Sequence, residues 1–140
     1  MKKPDVEIRI VKNWPDGQII ELYKAGGWWD GTGNPSVVKK IISGSFVFAV
    51  AVNKVTGRAI GMGRAMSDGA SDAYIQDVVV LPEFRKQDIG KMLIIALRDY
   101  CLARGIAWLA LVAEAGTEEF YRGMGFRVME GHTPMRYMEG

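Results

Sequence analysis

Residues 74–113 constrain the fold more than any other stretch: a strand-like run over 74–81 stops at Pro82, a helical stripe fills 89–103, and a near-continuous apolar run occupies 106–113. Ile89, Leu93, Ala96, Leu97 and Tyr100 recur at helical spacing, so the middle segment predicts an amphipathic helix. Gly105 follows where a helix C-terminus favours a residue without a Cβ. Strand, helix and strand in that order form a crossover, and a crossover sets its two strands parallel. The nearly unbroken apolar run of 106–113 predicts a strand buried on both faces.

The flanking segments follow other rules. Val6, Ile8 and Ile10 alternate with Glu7 and Arg9, the period of a strand with one buried face. Ile19, Ile20, Leu22 and Tyr23 have helical spacing, and Gly26-Gly27 ends that helix. The connection from Trp28 to Pro35 is rich in turn residues, and Ser36 is placed to cap a short second helix reaching about Ile42. Residues 46–52 and 59–66 flank a hairpin loop, Asn53 to Gly57, which makes those strands antiparallel. Residues 117–124 suit a short helix stopped by Gly125, with 126–129 and 135–138 as a closing hairpin. No repeat or linker interrupts residues 1–140, so a single mixed α/β domain is expected.

Composition excludes several function classes. The 140 residues are 49% hydrophobic and 24% charged, a balance that supports one sizeable core. Lys and Arg total 18 against 16 Asp and Glu, without a polybasic block, so no nucleic-acid partner is expected. The longest apolar stretch, 46–52, is strand-length and falls short of the roughly 20 residues of a membrane helix. Cys101 is the lone cysteine, and Met1-Lys2-Lys3-Pro4-Asp5 leads into no apolar signal segment. A reducing cytoplasm and no membrane are the expected setting. His132, the single histidine, has no companions for a metal site, so no metal is expected.

The chemistry gathers where the strand of 74–81 turns into the long helix. Arg85, Lys86, Gln87, Asp88, Ile89, Gly90 and Lys91 open that helix, whose unpaired N–H groups and positive dipole end favour an anion. A pyrophosphate would suit these amides and cations. A solvated basic turn is the plain alternative.

Val80-Leu81-Pro82-Glu83-Phe84-Arg85-Lys86-Gln87-Asp88-Ile89-Gly90 resembles the acetyl-CoA signature of the GNAT superfamily, in which Arg or Gln precedes x-x-Gly-x-Gly/Ala. Residues 113–126 resemble that family's second signature, with Phe120-Tyr121 three residues before Gly125-Phe126. Tyr74 to Val80 is similar to its fourth strand, and Leu22 to Trp28 to the end of its first helix. Asp88 departs from the pattern, standing where the first glycine belongs. Asp tolerates a left-handed backbone better than most residues, but it brings a negative charge towards phosphates.

The resemblance implies an α/β (α+β) fold of the GNAT acyl-CoA N-acyltransferase type. Its mixed, mostly antiparallel sheet has about six to seven strands flanked by about four helices, with strands 4 and 5 parallel and splayed apart. It implies an enzyme that moves the acetyl group of acetyl-CoA to a primary amine of a small molecule or peptide. The main chain at Val78 and Val80, with Val79 between them, would hold the pantetheine arm, and Arg85 to Lys91 the phosphates. Tyr121 would protonate the leaving thiolate. Asp77, ahead of Glu114, would accept the amine's proton, because an alkylamine near pKa about 10.4 costs on the order of 4 kcal/mol to deprotonate at neutral pH. Either carboxylate also has a plain reading as a surface or loop-bound group. Phe120 and Phe126 read as packing. Tyr23, Trp28 and Trp29 would line the acceptor, since aromatic faces suit a cationic or apolar amine; core packing is the alternative for a tryptophan. The family also dimerises in many members through the last strands or a sheet edge, so a homodimer is expected. A CoA-binding sensor with little turnover keeps the same fold. A doubly wound nucleotide-binding domain fits less well, because no G-x-G-x-x-G is present.

Overall fold

The computed structural model describes residues 5–140; Met1 to Pro4, part of the stretch read as lacking a signal segment, lie outside the described residues. The chain runs β1 (Val6–Ile10), α1 (Asp16–Ala25), α2 (Val37–Gly44), β2 (Val47–Asn53), β3 (Ala59–Ser67) and β4 (Asp72–Val80). A 3₁₀ turn (Pro82–Phe84), α3 (Ile89–Ala103), β5 (Trp108–Leu111) and α4 (Glu118–Arg122) complete it. The strands form one sheet in the order β1-β2-β3-β4-β5, antiparallel except for the β4–β5 pair. The expected crossover therefore lies between β4 and β5, with α3 as its helix.

Packing of the two layers follows from β3. A Cβ on Gly61 would come within 3.1 Å of Leu93 Cδ1, and one on Gly63 within 3.0 Å of Leu97 Cδ1, so these glycines let α3 press close to the sheet. Arg64 points to the opposite face, because successive strand residues alternate sides, and there it meets α1 through Asp77 and Tyr23. Ile89, Leu93, Ile94, Leu97 and Cys101 form the buried stripe of α3. Ile94 and Cys101 thus take places expected of Ala96 and Tyr100, which are half-buried. The stripe is rotated slightly because α3 packs on β2, β3 and β4 together.

Two expectations differ at the far edge. Five strands form among the described residues rather than about six to seven, because residues 126–138 pair with nothing and stay out of the sheet. Met135 and Tyr137 are 92% and 87% exposed. A strand needs a ladder partner, and alternation alone supplies none. Consequently β5 is an edge strand. It is shorter than the run of 106–113 and is not buried on both faces, with Trp108 and Val112 exposed. Ser36 makes no side-chain cap; Asn34 Oδ1 instead accepts its N–H at 3.0 Å. No helix among the described residues is long and apolar enough to cross a membrane.

Candidate active site

The parallel pairing stops early. Asp72 to Ile75 pair with Trp108 to Leu111, but β4 continues to Val80 with no β5 residue beside it. A cleft of about 750 Å³ opens there, lined by Val78, Val79 and Val80 on one side and by Glu114, Phe120 and Tyr121 on the other. The α3 N-terminus lies at one end, with Lys86, Asp88, Ile89, Gly90 and Lys91 in its lining; Trp28, Gln76 and Asp77 also line it.

A bulge shapes the free stretch of β4. Met62 pairs with Val79 and Arg64 with Gln76, so Gly63 alone stands opposite both Asp77 and Val78. Asp77 takes up the extra residue with φ of 59°, a left-handed conformation that costs a non-glycine residue about 1 kcal/mol or more. Its carboxylate is braced: Tyr23 Oη donates to Oδ2 at 2.8 Å, and Arg64 Nε donates to the same oxygen at 2.7 Å. Burial first, and then the charge and hydrogen bond of Asp77, push the Tyr23 phenol far above the usual tyrosine range, against an opposing pull from Arg64.

At the start of α3 the backbone makes an anion nest. Lys86 and Asp88 both have positive φ, 63° and 65°, on either side of Gln87, and no side chain caps the helix. Asp88 adopts the left-handed conformation that a glycine would take without cost. Lys86 and Lys91 are exposed and border this nest. Arg85 is differently engaged: its Nε donates to the Val80 carbonyl at 2.9 Å and its Nη2 to the Ala25 carbonyl at 3.4 Å. These backbone donors and cations fit a pyrophosphate, and the cleft leading from them between the strands fits an extended arm.

Tyr121 lies half-buried, its ring edge-on to Phe120 at 5.1 Å and Phe126 at 6.1 Å. Burial pushes its phenol above the usual range, and the nearby charge of Glu114 pushes it further. Both effects keep the proton on. Glu114 itself is exposed. Phe120, read from the sequence as packing, is 45% exposed and lines the cleft over the start of α3.

The remaining expected residues fall in two groups. Trp28 stands at the cleft, 47% exposed, its ring lying where a Cβ on Gly26 would be only 2.6 Å away. Trp29 instead packs against the core, beside Gly33. Tyr23 is 6% exposed and does not line the cleft, reaching it through Asp77 and through its ring, edge-on to Trp28 at 6.1 Å. Gln87 does not line the cleft either, and its Oε1 is buried without a hydrogen-bond partner among the described residues. Arg64 was missed. Its signal is a single charge in the otherwise uncharged strand Ala59–Ser67. His132 Nδ1 lies 2.9 Å from the Glu130 carbonyl at the surface, and no group of three potential metal ligands occurs among the described residues.

Comparison with known proteins adds an independent line. The sequence profile of the Acetyltransferase (GNAT) family matches residues 12–126. The histone acetyltransferase TAP1 of Glycine max is 32% identical over 142 residues, covering 85% of this chain and 62% of that protein. The chain thus spans less than two thirds of TAP1, and its match covers 28% of a second Glycine max relative, the probable acetyltransferase TAP2. Among solved structures, the probable acetyltransferase SA2161 of Staphylococcus aureus superposes with a TM-score of 0.79 at 19% identity, covering 97% of this chain and 100% of that one. AAC(6')-Iy, solved with a bisubstrate analog of CoA and acetylneamine, gives 0.73 at 19% identity, covering 96% and 99%. At such identities these structures establish the fold.

Proposed function

Because the chain belongs to the acetyltransferase (GNAT) family, we propose that it transfers the acetyl group of acetyl-CoA to a primary amine of a small molecule or peptide by direct attack. The observation that carries this reading is the position of Tyr121, a phenol kept protonated in the same cleft as the unpaired stretch of β4 and the anion nest of α3.

Acetyl-CoA would supply an activated acyl group as a thioester. Lys86, Lys91 and the first N–H groups of α3 hold the phosphates, and main-chain groups of Val78 to Val80 hold the arm. A β4 N–H freed beside the bulge stabilises negative charge developing on the acyl oxygen. The amine has to lose a proton before or during attack. Asp77 already accepts two hydrogen bonds on Oδ2, whereas Glu114 is open to the water through which a proton passes, which favours Glu114 as proton acceptor. Tyr121 Oη gives its proton to the departing thiolate sulfur. Trp28 offers an aromatic face to the incoming amine.

The test is turnover of acetyl-CoA with a panel of primary amines, read by thiol release, beside thermal melts with acetyl-CoA, NAD and ATP. Thiol release that depends on amine, with stabilisation by acetyl-CoA alone, is the expected result. Stabilisation by acetyl-CoA without turnover on any amine would favour the sensor reading, for which the charge of Asp88 in the cleft speaks. Equal stabilisation by NAD would reject the assignment of the nest.

A further inference from the structure

An arginine seldom lies in the middle of a sheet without a reason, because its charge loses water there. Arg64 is 16% exposed in its side chain, on β3, with Met62 and Ala65 buried close by in the strand. Its Nε and Nη1 donors are directed. Nε meets Asp77 Oδ2 at 2.7 Å, and Nη1 lies 3.4 Å from Ser45 Oγ and 3.3 Å from Met66 Sδ. Ser45 is itself fixed, 3% exposed, its hydroxyl donating to the Ile41 carbonyl at 2.6 Å.

The object of this bracing is one oxygen of one strained residue. Asp77 has φ of 59°, at the bulge, and such a conformation persists only where the surroundings over-determine it. The hydrogen bonds from Tyr23 and Arg64 both end on Oδ2. Asp77 nevertheless lines the cleft, with 22% of its side chain exposed. One carboxylate oxygen is thus tied to the protein, and the other is left for whatever enters.

We propose that Arg64 is a positioning residue that, with Tyr23, pins Asp77 so that its Oδ1 binds the acceptor amine as an ammonium ion. The acceptor class is then a primary alkylamine that enters charged, its ammonium on Asp77 and its carbon chain beside Trp28. The inference rests on the acetyltransferase reading of this cleft. It gives Asp77 a role in ground-state binding, and the proton leaves afterwards through water towards Glu114. A contact of that kind lowers the KM for the amine and does nothing for the transition state, because the ion pair weakens once the amine is neutral and attacking, so its loss raises KM and leaves kcat unchanged or higher.

Butylamine serves as the probe, with Arg64→Gln, Arg64→Lys, Asp77→Asn and the double variant Arg64→Gln/Asp77→Asn. Arg64→Gln should raise the butylamine KM by about tenfold, the size of one charge-assisted hydrogen bond, with kcat unchanged or raised and the acetyl-CoA KM within about twofold. Arg64→Lys, which keeps the cation, should recover part of the loss. In the Asp77→Asn background, Arg64→Gln should add nothing further. A fall in kcat at unchanged butylamine KM would overturn the proposal, as would a parallel rise in both KM values or an equal effect of Arg64→Gln with and without Asp77. Should Arg64→Gln fail to fold, Tyr23→Phe removes the other donor to Oδ2 and should raise the same constant by a smaller factor; no change would overturn the proposal. If the unmodified protein binds acetyl-CoA but acetylates no amine, the transferase reading fails separately. The Arg64 assignment is then decided by calorimetric titration of butylammonium into the CoA complex. Weaker binding in Arg64→Gln supports it, and equal or undetectable binding in both proteins overturns it.

Discussion

Arg85 Nη2 donates to the Ala25 carbonyl across 60 residues of sequence, tying the loop before α3 to the last turn of α1. The same guanidinium holds the Val80 carbonyl at the end of β4. The residue expected to face phosphates therefore also joins three elements around the cleft, and the α1 end it grips leads directly into Gly26 and Trp28.

Replacing Arg85 by alanine should thus disturb both substrates. Two modest hydrogen bonds at an exposed site correspond to roughly two- to tenfold in each binding constant. Steady-state kinetics with each substrate varied in turn checks this. A rise confined to the acetyl-CoA constant would mean that Arg85 acts through charge alone and that its grip on Ala25 does nothing for the acceptor.

Tyr23 makes stability sensitive to alkali. Burial, followed by the charge and hydrogen bond of Asp77, raises its native pKa above the value of about 10 in the unfolded chain. Above that pH the unfolded chain loses the proton while the native phenol keeps it, so the native state binds more protons and stability falls as pH climbs. Below it, the contribution is fully present. Urea midpoints measured from pH 8 to 11 should therefore decline, and Tyr23→Phe should decline less steeply although it starts from lower stability at neutral pH. Parallel slopes for the two proteins would show that the Tyr23 hydroxyl does not control this loss.

The contrast between α3 and the Arg64–Asp77 pair shows what the sequence could carry. The bounds of α3, Ile89 to Ala103, are local: a sustained apolar period, a turn at Pro82 and a left-handed Gly105 agree. The two signatures likewise place Tyr121 and the nest in one cleft, because each signature brings its own local backbone. Arg64 meeting Asp77 depends on a one-residue bulge between two strands, and no periodicity announces which residue will be squeezed out. Arg85 gripping two carbonyls is equally invisible, since a backbone acceptor leaves no residue type behind. Residues 135–138 fail for the opposite reason, being strand-like in pattern but without a ladder to join.

Asp88 occupies a left-handed position in the nest, with its residue lining the cleft. Asp88→Gly removes the cost of a Cβ at φ of 65° and a negative charge close to bound phosphates. Acetyl-CoA should bind about two- to tenfold more tightly at low ionic strength, and the gain should shrink as salt screens the charge. Titration calorimetry at two salt concentrations is the measurement. A gain independent of salt would assign the effect to the backbone, and a weaker affinity would mean that the Asp88 carboxylate supports the loop.

Tyr121 gives the sharpest test of the chemistry. Tyr121→Phe keeps the edge-on contacts with Phe120 and Phe126 and removes only the hydroxyl, so stability and acetyl-CoA affinity should change little. Turnover should fall by roughly 10²–10⁴-fold, the usual contribution of a positioned acid, and should appear in kcat at saturating amine. A variant within about twofold of the parent where chemistry limits the rate would move the proton to water or to another group. The pH profile adds a second reading. Burial is the larger cause of the raised phenol, so activity should survive past the usual tyrosine range of about 10 before an alkaline limb appears. Glu114 is the smaller cause, and its charge raises the phenol, so Glu114→Gln should move that limb to lower pH while leaving part of the elevation in place. An alkaline limb unmoved by Glu114→Gln and still present in Tyr121→Phe would belong to a different group, and Tyr121 would then be a packing residue whose hydroxyl happens to line the cleft.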